Sequence, residues 1–319
     1  MKYFISWVAF FFAVTICFPL CWHLTSRLFE KGNQPDDSHK IGVYFVDEDT
    51  VKNIDAETYI LGVLMAEMPA EFEIEALKAQ SVAARTYLYE KIYSGSFQKE
   101  HKGADVCTNP GHCQAYISEK AAKEKWGKNA SYYFKKCKNA VESTKGVVAY
   151  YNNKPIKAVF HAYASGKTED AQDVWGGEVA YLKSVESPGD LSAPEFASVK
   201  TISKEEFCNT MSGDFGCKFN GKIIGEVSYT QGGSVYRIEV GDKVIKGTEL
   251  RSALGLKSSC VKIKTEDNNL IFEVKGYGHG VGMSQYGANF CAKEGMSYDE
   301  ILKKYYSGIE LKNIHKTIE

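Results

Sequence analysis

The 319-residue chain has almost no excess of charge of either sign: 39 Lys and Arg face 40 Asp and Glu, a formal net charge of −1. Nothing in that balance points to nucleic acid as a partner. Internal repeats and low-complexity tracts are missing, so repeat arrays and disordered chains are set aside. Several familiar chemistries are missing as well. The run from Gly276 to Gly287 has five glycines, but it lacks the Gly-Lys-Ser/Thr ending of a phosphate loop and the βαβ setting of a dinucleotide site. Ser165 is not framed as Gly-x-Ser-x-Gly, so a serine-hydrolase elbow is not in view. What remains is ample material for a core. At 44% hydrophobic residues the chain is neither disordered nor a disulfide-stapled mini-protein. Its 13% aromatic content suits a carbohydrate or peptide surface, and equally a Tyr-rich interior.

The N-terminus is nearly all apolar from Tyr3 to Leu24, long enough to cross a bilayer as a helix. The run ends in Phe18-Pro19-Leu20-Cys21-Trp22, with no small-residue cleavage site, and Cys17 and Cys21 follow large residues. These features predict an uncleaved single-pass anchor over 1–27, a polar linker over 28–40 and one large domain over 41–319. Lys2 on one side and Arg27 and Lys31 on the other leave orientation open.

Helical patterns dominate 56–93 and 118–143, and strand patterns dominate 146–162, 222–245 and 260–274. Their segregation predicts an α+β fold, with helices packed on a mixed or antiparallel sheet. A smaller β-rich lobe is expected at about 204–256, with a hairpin turning at Gly232-Gly233.

Four features carry chemistry. In Met65-Ala66-Glu67-Met68-Pro69, a helix begun at Ala56 places Glu67 on the face of Ile60, Val63 and Leu64, and Pro69 stops it. Desolvation and the negative helix end both raise the pKa of such a carboxyl, as a general acid requires. The plainer alternative is a Glu that reaches water at a helix end. Arg85, on the next amphipathic helix, either contacts Glu67 or substrate or packs its stem on the core. His101, Cys107, His112 and Cys113 supply four zinc-type ligands within thirteen positions; a Cys107–Cys113 disulfide and a pair of unrelated buried thiols compete with that reading. Zinc held by all four would be structural. Finally, the stretch around Tyr163, Ser165 and Gly166 and the run with His279 and Gln285 are small, polar and Gly-rich. Such backbone allows close approach of a ligand.

Taken in order, Met65–Pro69, Leu77–Tyr87 with Arg85, Cys113-Gln114-Ala115-Tyr116, Arg251–Leu256 and Gly278–Ala288 resemble the stage II sporulation protein D family. The match runs from about Ile41 to Leu311. The resemblance implies a membrane-tethered lytic transglycosylase of engulfment in sporulation. Such an enzyme cuts the N-acetylmuramic acid to N-acetylglucosamine bond of peptide-stripped glycan and leaves 1,6-anhydro ends. It implies Glu67 as the catalytic acid, with Arg85, Gln285, His279, Tyr163 and Ser165 positioning sugar. It also implies two partners, an amidase like stage II sporulation protein P and a membrane scaffold like stage II sporulation protein M. The run Ala162-Tyr163-Ala164-Ser165-Gly166-Lys167 departs from the family's Ser/Thr/Gly pattern at Ala162 and Lys167. Relatives of the same domain enhance amidases without cutting, which is the rival expectation, and a hydrolase is a third.

Overall fold

The computed structural model describes residues 40–95 and 99–314. The apolar run expected to anchor the chain lies outside them. Among the described residues no helix is long and apolar enough to cross a membrane.

Strands β1 (Lys40–Phe45) and β2 (Thr50–Asp55) lead directly into α1 (Ala56–Glu67). Asp55 starts that helix by accepting from the Thr58 amide at 2.9 Å, satisfying an otherwise unpaired donor. Ile60, Val63 and Leu64 are wholly buried along one face. The helix ends as Pro69 dictates: Met68 is extended, at φ −119° and ψ 137°. Helix α2 (Ile74–Ser94) runs to Gly95, whose left-handed φ of 62° closes it. Polar and apolar residues alike are buried along α2, among them Leu77, Gln80, Ala84, Arg85 and Leu88. That is the mark of a central helix rather than a surface one.

Strand β3 (Val106–Cys107) runs parallel to β1 and completes a sheet of order β2-β1-β3. The helical stretch expected over 118–143 is divided into α3 (Glu119–Trp126) and α4 (Ala130–Ser143). Gly127, at φ 53°, breaks it and a 3₁₀ turn intervenes. The strand expected over 146–162 is likewise three short pieces, β4 (Val147–Tyr151), β5 (Lys154–Pro155) and β6 (Phe160–His161). Helix α5 (Ala171–Trp175) follows.

The secondary lobe has its own core, in which Phe207, Met211, Ile238, Leu250 and Phe272 are buried. It comprises β7 (Ala197–Ser203), α6 (Lys204–Phe215), β8 (Ile224–Tyr229), β9 (Val235–Val240), β10 (Lys243–Lys246), α7 (Gly247–Leu254), β11 (Val261–Glu266) and β12 (Asn269–Lys275). Two antiparallel sheets, β10-β9-β8 and β11-β12-β7, enclose it. Its buried residues extend from Ile202 to Val274, beyond the 204–256 span read from sequence, because β7 pairs with β12 along seven residues.

The chain then returns to the first core. Strand β13 (Met283–Ser284) runs parallel to β6, α8 (Gln285–Lys293) and α9 (Tyr298–Tyr305) pack on α2, and β14 (Glu310–Asn313) pairs with β4. The fold is α+β, but the single supporting sheet that was expected is replaced by several small sheets around a helical centre.

Candidate active site and metal centre

Glu67 is the last residue of α1, half-buried where the chain bends away at Met68. Its Oε1 accepts from the backbone amide of Ala115 at 2.7 Å. Burial raises its pKa above the ordinary carboxylate range, and the Ala115 amide partly offsets that by stabilising the anion. Among the described residues no neighbouring carboxylate contributes to the shift. One oxygen is thus fixed by protein while the group keeps a raised proton affinity.

The Ala115 amide is held by a dense local structure. Tyr116 stacks on Tyr59 with centroids 5.9 Å apart and meets Phe45 edge-on at 5.3 Å. It sits directly over Gly62, where a Cβ would come within 2.1 Å of the ring. The Ile117 amide donates to the Gly62 carbonyl at 3.2 Å, tying the loop to α1.

Just upstream, His101, Cys107, His112 and Cys113 converge, their ligand atoms all within 4.8 Å of one another. Cys107 is placed by β3, and His112 and Cys113 by a turn in which both amides donate to the Asn109 carbonyl. The His101 Nε2 to His112 Nδ1 separation is 2.9 Å, Cys113 Sγ lies 3.3 Å from His101 and 3.7 Å from His112, and Cys107 Sγ lies 3.5 Å from His112. Zinc bonds of about 2.05 Å to N and 2.3 Å to S predict tetrahedral edges of roughly 3.3 Å for N–N and 3.5 Å for N–S. The S–N separations lie near that edge, and the N–N pair, which is closer, would open slightly around a four-coordinate ion. Tyr87 Oη donates to the His112 carbonyl at 3.2 Å and braces the turn. Both cysteines are free thiols, so the competing disulfide is not formed. Burial pushes the Cys113 thiol up to about 11, the kind of shift that a bound cation reverses.

The other residues expected at the site are dispersed. Arg85 lies inside the helical core of α2. It is fully buried, with Nε and Nη2 donating to the two oxygens of Glu57 at 2.8 and 2.6 Å and further bonds to the Val147 and Val141 carbonyls. Its fork clamps α2 to α1 and to the start of β4. Tyr163, Ser165 and His279 line one small hollow with Glu169, Ser234 and Cys260, and Glu67 does not line it. Within the hollow, Ser165 Oγ donates to the Gly232 carbonyl at 2.7 Å and Tyr163 Oη to the Glu195 carbonyl at 3.2 Å. His279 lies between His161 and Trp175, at 5.6 and 5.2 Å between rings, and burial pulls its pKa down to about 4. Gln285 is buried, its Nε2 reaching Gln80 Oε1 at 3.4 Å and joining α8 to α2.

Asp190 had no signal in the sequence. Buried, it accepts from Ser284 Oγ at 2.5 Å and from the Ala164 amide at 2.9 Å, binding the His279 run to the Tyr163 run. Phe72, Tyr286 and Tyr163 form a chain of edge-on rings, 4.9 and 5.4 Å apart, from the loop after Glu67 toward the hollow.

Comparison with known proteins adds a lineage. The family model described as stage II sporulation protein matches residues 46–151. The chain is 40% identical over 272 residues to stage II sporulation protein D of Bacillus subtilis, covering 85% of this chain and 78% of that protein. It is 37% identical over 286 residues to the protein of the same name from Bacillus amyloliquefaciens, covering 88% and 82%. It is also 30% identical over 306 residues to an amidase enhancer of Bacillus subtilis, but spans only 40% of that longer protein.

Proposed function

The chain belongs to the stage II sporulation protein D family, and on that footing we propose that it is a peptidoglycan lytic transglycosylase working through Glu67. The observation that carries the reading is the setting of that carboxyl, with Oε1 fixed by the Ala115 amide and its pKa raised by burial. A carboxyl whose proton affinity is raised by burial suits donation to the glycosidic oxygen between N-acetylmuramic acid and N-acetylglucosamine. As the bond breaks, positive charge develops at the muramic C1, and Glu67 is left as the anion. It then takes the proton of the sugar's own C6 hydroxyl, whose oxygen closes on C1 to give the 1,6-anhydro ring. The substrate supplies the nucleophile, so the second carboxylate of ordinary glycosidases is not needed. Tyr163, Ser165, His279 and Gln285 remain candidates for holding sugar, Arg85 for holding the helices that present Glu67.

Zinc at His101, Cys107, His112 and Cys113, closed by four protein ligands, supplies folding free energy rather than a Lewis acid. The apolar run at the N-terminus keeps the protein in the cell membrane with the folded domain on the outer side, where glycan lies. There it acts during engulfment on strands already stripped by an amidase like stage II sporulation protein P, assembled by a scaffold like stage II sporulation protein M. The similarity to an amidase enhancer favours a second reading, in which the domain binds glycan and activates an amidase without cutting. Incubating peptide-free glycan strands with the unmutated chain and with Glu67→Gln separates them. Cleavage that depends on Glu67 supports the transglycosylase, and intact strands with a stimulated amidase support the enhancer.

A further inference from the structure

Beside the loop that follows Glu67 lies a surface that the proposed chemistry leaves unused. From Glu119 to Lys145, over helices α3 and α4 and the residues between and just after them, there are eight lysines against three glutamates, in a chain whose total charge is −1. Two of those lysines have acidic partners, Lys123 with Glu119 and Lys138 with Glu142. Lys120, Lys125, Lys128, Lys135 and Lys145 are exposed and make no ion pair among the described residues. Aromatic rings stand among them. Trp126 and Tyr133 meet at 5.8 Å, Tyr133 and Tyr132 at 5.5 Å, and Tyr132 is 66% exposed. The face is continuous with the catalytic loop, because Lys136 Nζ donates to the Glu71 carbonyl at 3.1 Å and also to the Phe72 carbonyl.

We infer that this basic, aromatic face of α3 and α4 is an extended docking surface for a peptide-stripped glycan strand. The inference rests on the proposed substrate. Each stripped muramic residue bears a free lactyl carboxylate, which complements unpaired lysines, and sugar rings stack on exposed aromatic faces. An anionic membrane is the competing occupant, but a membrane-seated helix buries a row of aliphatic and aromatic side chains. Here Tyr132 is the one large hydrophobic residue of the segment that is strongly exposed.

The test is co-sedimentation of the full chain, carrying Glu67→Gln so that strands stay intact, with amidase-stripped glycan. The charge-reversed variant Lys125→Glu/Lys128→Glu/Lys135→Glu should bind at least about tenfold more weakly, three modest surface pairs multiplied together. Binding of the parent should weaken with salt and with conversion of the lactyl carboxylates to methylamides. If the reversed variant melts early, Lys→Gln at the same positions serves instead. Undiminished strand binding by either folded variant overturns the inference, as does a loss confined to anionic phosphatidylglycerol vesicles. Because binding is read without cleavage, a failure of the transglycosylase reading leaves this outcome separately visible.

Discussion

The Ala115 amide that grips Glu67 Oε1 at 2.7 Å lies two residues beyond Cys113, so the metal loop and the candidate catalytic carboxyl share one short piece of backbone. The clustered His101, Cys107, His112 and Cys113 stand at the start of that piece, and Tyr116, wedged over Gly62, fixes its end.

The first prediction concerns metal. Cys107→Ser should lose about one zinc per chain by elemental analysis and lower the melting temperature, because ligand binding is part of the folding free energy. It should also slow glycan cleavage, since the Ala115 amide is released to drift from Glu67. A chain that holds no zinc when unmutated, or whose melting is indifferent to chelator, contradicts the assignment.

The second concerns Arg85. A buried ion pair broken on one side leaves an uncompensated charge, so Arg85→Ala should cost about 3–5 kcal/mol in chemical denaturation. Replacing both partners by apolar residues, Arg85→Met with Glu57→Leu, should recover much of that loss. If Arg85 instead bound sugar, the single change would raise KM with stability nearly unchanged.

The third is acid sensitivity. Burial pulls His161 down to about 3 and His279 to about 4, while the unfolded imidazoles take protons near 6.5. Protons therefore favour the unfolded chain as pH falls below about 6.5. Asp190 acts in the opposite sense, because burial pushes it up to about 6 from an ordinary 3.8 and the folded chain binds its proton first. Glu67, also raised by burial, acts in the same sense as Asp190. His101, also lowered by burial, acts in the same sense as His161 and His279, so stability should fall as pH drops below about 6.5. His161→Gln should flatten the curve relative to the parent by about 1.4 kcal/mol per pH unit between pH 6 and 4. Urea titrations with parallel pH slopes for the two proteins would refute this.

Local chemistry explains how much of this was readable in advance. Asp55, Pro69 and the apolar spacing around Glu67 act within a few residues, so α1 and its end are legible in the chain itself. The candidate metal tetrad is legible because four residues of two uncommon ligand types, His and Cys, crowd thirteen positions. Ala115 is not, since a backbone amide has no letter of its own. Arg85 is legible only in part: an Arg flanking a helix stripe looks the same whether it faces a cleft or finds Glu57 across the core. Gly127 and the division of 118–143 were written in the sequence, but amphipathic spacing on both sides concealed the break. The lobe's true extent depends on β7 pairing with β12, some seventy residues away, and no local pattern encodes that register.

The most direct test is the mass of the fragments released from peptide-free glycan strands by the purified chain and by Glu67→Gln. Ends formed by ring closure on the muramic residue are lighter by one water than hydrolysed ends. The account predicts anhydro ends from the unmutated chain and a rate lower by about 10² to 10⁴ for Glu67→Gln, the usual contribution of general acid–base catalysis. Hydrated reducing ends, or near-normal cleavage by Glu67→Gln, would contradict it.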